Sequence, residues 1–138
     1  MNARSIAMVG CLVLAGCIAS NPVAPDDRMV TAAVDKLQFA PAGQLALSGL
    51  YQSIDVRGDI ALGLRRIWYW FRADGTYTAA ALVEADAVAF QTRDGTWQLT
   101  AAGLVLDGDA PVAVEVAGDH VRLTSASGSF VLHKELLQ

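Results

Sequence analysis

The chain has 138 residues, of which 54% are hydrophobic and 17% charged, a size for one domain and a composition that excludes a disordered acidic tail. Ten basic against fourteen acidic side chains, a net charge of -4, exclude a nucleic-acid binder that works through clustered Lys and Arg. The N-terminus opens with Arg4 and an apolar run from Ile6 to Leu14, the pattern of an export signal. That run falls short of the roughly 20 apolar residues a bilayer-spanning helix needs.

The run ends in Leu14-Ala15-Gly16-Cys17, which resembles the lipobox of bacterial lipoprotein precursors. The resemblance implies a signal peptide over 1–16 cleaved between Gly16 and Cys17. Cys17 would become an N-terminal residue carrying a diacylglyceryl thioether, and its acyl chains would make the membrane a partner. Ile18 follows where aspartate accompanies inner-membrane retention in that family, so the expected address is the outer membrane in a cell with two membranes. Cys11 leaves with the signal and the Cys17 sulfur is consumed, so the mature chain is expected to have neither a disulfide nor a free thiolate. Without Arg4 the mature chain keeps nine basic and fourteen acidic side chains, net -5, and its lipid is expected to hold the membrane alone.

Residues 17–44 read as lipidated cysteine, tether and short helix. Ser20, Asn21, Pro22 and Pro25 have no periodicity. Asp26 or Asp27 caps a predicted helix whose Val30, Ala33, Val34 and Leu37 share a face, and Pro41 and Gly43 end it. From 45 to 138 the period is two. Predicted strands are Leu47–Ile54, Leu64–Arg72, Thr76–Val83, Val88–Thr92, Thr96–Leu99, Leu104–Leu106, Val112–Val116, His120–Thr124 and Ser129–Lys134. Asp74-Gly75 is a hairpin signal, and Arg93-Asp94-Gly95 and Gly108-Asp109-Ala110-Pro111 read as turns. Connections this short join neighbours, so the expected fold is all-β: an antiparallel up-and-down meander of eight or nine strands that closes into a barrel and so removes exposed edges.

Parity places Trp97 with Leu99, Val112 with Val114 and Val116, Val121 with Leu123, and Phe130 with Leu132 in the core. Leu64–Phe71 is apolar on both faces, Trp68 and Trp70 on one and Ile67, Tyr69 and Phe71 on the other. Its outer face needs a cover: the N-terminal helix, the Ile60-Ala61-Leu62 segment or a partner.

Leu47-Ser48-Gly49-Leu50-Tyr51, Phe71-Arg72-Ala73-Asp74-Gly75-Thr76-Tyr77, Gly95-Thr96-Trp97 and Val131-Leu132-His133-Lys134 resemble short bacterial lipocalin-like domains over about Leu45 to Glu135. Tyr51 replaces the family's opening tryptophan, and Lys134 stands where a closing arginine often lies. The resemblance implies an up-and-down barrel that accepts an apolar ligand.

The sequence contains no Gly-x-Ser-x-Gly elbow, phosphate-binding glycine loop or His-Glu-x-x-His, so a non-enzymatic protein with no cofactor and no metal is expected. His120 and His133 are placed outward by parity, Asp107 and Asp109 read as turn formers, and Asp55, Arg57 and Asp59 read as a solvated loop or the rim of a barrel mouth. The candidate ligand-binding set is Tyr51, Trp68, Trp70, Tyr77, Trp97 and Phe130. In a barrel of eight short strands these rings compete for little space, which favours filling. Ala79 and Ala81 either receive them or leave a pocket. Two functions stand side by side: an envelope protein binding a small apolar molecule or lipid, and a solid module that contacts another envelope protein through the aromatic strand.

Overall fold

A computed structural model describes residues 33–42 and 46–136 of the chain. The expected signal with Gly16 and Cys17 and the expected tether lie outside these residues, as does most of the helix expected after Asp26 or Asp27. Of that helix the described residues include only the segment from Ala33. There the amides of Lys36 and Leu37 donate to the carbonyls of Ala33 and Val34, three residues back, at 3.2 and 3.0 Å. Ala33 and Val34 are the described α-helical residues, and among the described elements a single 3-10 turn spans Asp59–Leu62.

Nine antiparallel strands form one sheet: β1 (Ala40–Pro41), β2 (Gly49–Arg57), β3 (Leu64–Phe71), β4 (Thr76–Glu84), β5 (Val88–Thr100), β6 (Gly103–Leu106), β7 (Ala113–Ala117), β8 (His120–Ser125) and β9 (Gly128–Glu135). The all-β class and the hairpin connections are as the sequence predicts; the simple meander is not. The spatial order is β1-β7-β8-β9-β2-β3-β4-β5-β6, because β9 returns to pair with β2 and β1 docks on β7. The sheet curls through 276° into a half-barrel. Between β6 and β7 there is one isolated bridge, in which Leu104 and Val112 exchange backbone hydrogen bonds of 2.9 and 2.8 Å.

Local chemistry explains most boundaries. At the β3–β4 turn the Asp74 Oδ1 accepts from the Thr76 amide at 2.9 Å and its hydroxyl at 2.7 Å, and Gly75 takes φ 84°. The second Asp-Gly, expected to turn the chain at 93–95, does not: β5 runs unbroken through it. Gly95 is needed there for close approach, since a Cβ would lie 2.0 Å from the Asp107 carboxylate oxygen.

The expected core forms. Val114, Val121, Leu123 and Leu132 are buried, with Trp97, Leu99, Val112, Val116 and Phe130 packed against them. To these the fold adds Leu47, Leu104 and an aromatic cluster of Tyr51, Tyr69, Phe71 and Tyr77, in which Tyr69 stacks on Phe71 at 5.1 Å. Register assigns the faces of β3: Phe71 opposes Tyr77, Tyr69 opposes Ala79 and Ile67 opposes Ala81, so Trp68 and Trp70 lie on the outer face. Phe90 joins them there, its ring 6.2 Å from that of Trp68.

The described part of the N-terminal segment, residues 33–42, does not lie on this aromatic face. It lies over the outer side of β2, β8 and β9, where Val34 is buried, Asp35 pairs with Arg57 at 2.6 Å, and the Arg122 guanidinium sits 4.2 Å over Phe39. The Asp55–Arg57 pair at 2.5 Å belongs to this clamp; Asp55 and Arg57 lie in β2 and Asp59 opens the 3-10 turn, so the three do not share one solvated loop. Lys134 Nζ lies 5.8 Å from the centroid of the Tyr51 ring.

Candidate functional site

The pairing of large rings with alanines on β3 and β4 leaves space. Beside Ala79 and Ala81 lies a cavity of about 480 Å³. Its wall is Ile67, Tyr69, Tyr77, Ala79, Ala81 and Leu106, and its rim is Gln91, Thr92, Arg93 and Asp109. The cavity opens toward the first half of β5, where β6 no longer runs alongside: β6 pairs only with Trp97–Thr100.

Asp107 organises the polar side of this opening. Its Oδ2 accepts from the Tyr77 hydroxyl and from Arg93 Nη2, each at 2.7 Å, and its Oδ1 accepts from the Thr96 amide at 2.9 Å. Asp107 has φ 53°, the only positive φ among the described non-glycine residues, a conformation that Asp tolerates better than most residues. One carboxylate thereby ties β4 and β5 to the end of β6. The hydrogen bond from Tyr77, then that from the Thr96 amide, holds its pKa below the ordinary 3.8, with Arg93 adding to the effect.

Burial pushes the Tyr77 hydroxyl up to about 12, assisted by the hydrogen bond and charge of Asp107. Burial also raises Tyr69, which Arg93 partly offsets, and raises Tyr51 with help from Asp119. These are the three tyrosines of the chain, so an ultraviolet titration of the folded protein is expected to show no tyrosinate forming at the ordinary value of 10. The stability that goes with Tyr77 is present below pH 10 and lost as pH rises toward 12. That of Asp107 is present above 3.8 and lost as pH falls through its lowered value. Tyr77→Phe should remove the last-titrating phenol; an unchanged alkaline curve would refute the clamp.

The structure divides the six predicted ligand residues. Tyr77 lines the cavity. Tyr51, Trp97 and Phe130 face inward but serve the core, with Trp97 Nε1 donating to the Arg72 carbonyl at 2.9 Å and Phe130 stacked 6.3 Å from Tyr69. Trp68 and Trp70 stand outside, Trp70 beneath the Arg72 guanidinium at 4.3 Å. Apart from Tyr77, Ala79 and Ala81, sequence reasoning missed the cavity residues, Tyr69, Ile67, Arg93 and Leu106 among them. Hairpin register was the signal available: residues paired across Asp74-Gly75 put Tyr77 on the face of Phe71 and Tyr69.

Elsewhere, His120 and His133 are direct cross-strand partners with ring centroids 4.9 Å apart. Among the described residues no three His, Cys, Asp or Glu side chains converge as a metal site, and no helix is long and apolar enough to cross a membrane. Asp107 and Asp109 do sit in a turn, where the Asp109 amide donates to the Leu106 carbonyl at 2.9 Å. Asp107 is a structural hub as well. No protein-family model, curated protein or solved structure matches the chain.

Proposed function

We propose that this chain is a non-enzymatic lipoprotein of the bacterial envelope, anchored through Cys17. We propose further that its sheet is a lipocalin-like barrel, joined at the Leu104–Val112 bridge, that binds one small, largely apolar molecule. The observation that carries the binding reading is the cavity of about 480 Å³ over Ala79 and Ala81, within the range of small-molecule sites. Its wall is apolar with the Tyr69 and Tyr77 rings, which suits an apolar body. Its rim of Gln91, Arg93 and Asp109 suits a single polar end near solvent.

Native mass spectrometry of the chain purified after export tests the reading. One apolar passenger per chain is expected, and a bare protein after incubation with fatty acids and phospholipids would reject it. Ala81→Phe places a ring in the cavity and is expected to abolish the passenger while stability holds or rises by up to about 1 kcal/mol. The anchor has its own test. Cys17→Ser should leave a soluble or unprocessed form and end lipid labelling; unchanged fractionation and labelling would reject it.

A second reading is favoured by one observation. Trp70 is 47% exposed and Phe90 63% exposed on one outer face beside Trp68, a grouping of exposed rings suited to a protein contact. In that reading this face contacts another envelope protein. Cross-linking from position 70 in intact cells should then give one defined adduct, and its absence would remove this reading.

A further inference from the structure

We infer that the free edge of β5 is a self-association site, at which two copies of this chain join strand to strand. The inference stands apart from the anchor and from the cavity's ligand, and it begins with a mismatch in length. β5 has 13 residues and its neighbour β6 has 4, which pair with Trp97–Thr100 alone. After Leu106 the chain turns away through Asp107 at φ 53° and Gly108 at φ 77°. All seven residues from Val88 to Asp94 are exposed, and no described residue pairs with them on the side away from β4.

The backbone groups on that side can be named. The Trp97 amide donates to the Gly75 carbonyl at 2.8 Å, in register with the β4–β5 ladder. In an antiparallel ladder alternate residues face the same neighbour, so Gly95, Arg93, Gln91 and Ala89 direct N–H and C=O toward β4. Thr96 has the opposite sense: its amide donates to Asp107 Oδ1 at 2.9 Å and its carbonyl accepts from the Asp107 amide at 2.8 Å. Val88, Phe90, Thr92 and Asp94 follow Thr96 and present their N–H and C=O outward. This edge carries no proline, no lysine and no bulge, Val88–Thr92 is uncharged, and charge enters only at Arg93 and Asp94.

A second copy satisfies this edge. With the strands antiparallel and Gln91 on the two-fold axis, Val88 opposes Asp94 and Phe90 opposes Thr92, and every outward group of both copies is paired. A slip by two residues either way leaves Val88 or Asp94 of each copy unpaired. In the central register short side chains stand against long ones, Ala89 against Arg93 and Thr92 against Phe90, and no two like charges directly oppose. Gln91 and Arg93 belong to the cavity rim, so the second copy's Ala89 and Gln91 extend the wall at each cavity mouth. The contact is isologous and consumes both edges, which stops assembly at two.

The test uses the full chain with Cys17→Ser, examined by sedimentation equilibrium over a range of concentrations. A reversible dimer is expected. Thr92→Pro removes an outward N–H and leaves the β4–β5 ladder intact, and should raise the dimer dissociation constant about tenfold or more with an unchanged circular dichroism spectrum. Amide exchange on the unsubstituted chain gives an answer even if that variant fails to fold. Phe90 and Thr92 amides should be protected when concentrated and exposed on dilution, while the Gln91 amide stays protected throughout. A monomer at all concentrations, a dimer indifferent to Thr92→Pro, or Phe90 and Thr92 amides protected in a monomer by some other strand would each overturn the inference.

Discussion

Phe71→Ala is expected to destabilise the domain by about 3–5 kcal/mol, the cost of truncating a fully enclosed aromatic ring. Phe71 is 1% exposed and touches the rings of Tyr51, Tyr69, Tyr77 and Trp97, at centroid distances of 6.0, 5.1, 6.2 and 5.5 Å. These rings come from β2, β3, β4 and β5, so one side chain joins four strands of a curled sheet. Collapse around the hole is restricted because Trp97 is held by its hydrogen bond to Arg72 and Tyr77 by its bond to Asp107. Against a total stability of about 5–15 kcal/mol for an ordinary domain, such a loss brings much of the population near unfolding at growth temperature. Urea unfolding followed by tryptophan fluorescence measures it. A loss below about 1 kcal/mol would mean that the cluster is not the mechanical centre of the sheet. Trp70→Ala supplies the contrast: its ring is half exposed, and a loss under about 1 kcal/mol is expected.

This division of the aromatics marks what was legible in the chain. Strand positions follow from alternation and turn residues, and the core of Val114, Val121, Leu123, Leu132 and Phe130 was readable because polar residues alternate with it. In Leu64–Phe71 both faces are apolar, so alternation alone does not choose between Trp70 and Phe71. The hairpin about Asp74-Gly75 does, since it pairs Tyr77 with Phe71 and Thr78 with Trp70. A ligand set containing both Tyr77 and Trp70 mixes two faces of one sheet. The same counting across the turn before Gly128 joins His120 to His133.

Other features were not legible, and the reason is distance along the chain. Asp74-Gly75 and Asp94-Gly95 are the same dipeptide, followed in both cases by threonine and an aromatic. The first is a turn because its own carboxylate caps it. The second is extended, paired with Thr78 and Tyr77 of β4, and Asp107, twelve residues beyond Gly95, accepts from the adjoining Thr96 amide. The return of β9 to β2 is likewise a pairing between chain ends that no local pattern encodes. The cavity arises from the same kind of non-local fact, since Ala79 and Ala81 leave room only because β6 ends short of them.

Gly103→Ala is expected to destabilise the domain by on the order of 3 kcal/mol, and to do so at one place. Gly103 has φ 134°, and an added Cβ would meet the Val112 carbonyl oxygen at 2.2 Å, so strain and overpacking act together. The carbonyl it strikes is the acceptor for the Leu104 amide in the isolated bridge between β6 and β7. Leu104 is 0% exposed and Leu106 lines the cavity wall, so displacement of Val112 frees the strand that supports one side of the cavity. Amide exchange should rise at Leu104 and Val112 well before it rises in β2, β8 and β9, which are joined by long ladders. Any bound passenger should be lost in parallel. Uniform acceleration across all strands would instead mean that the bridge is no weaker than the ladders, and that the sheet behaves as one cooperative unit around its whole curl. A local response confined to β6 and β7 would identify this bridge as the element through which the cavity opens.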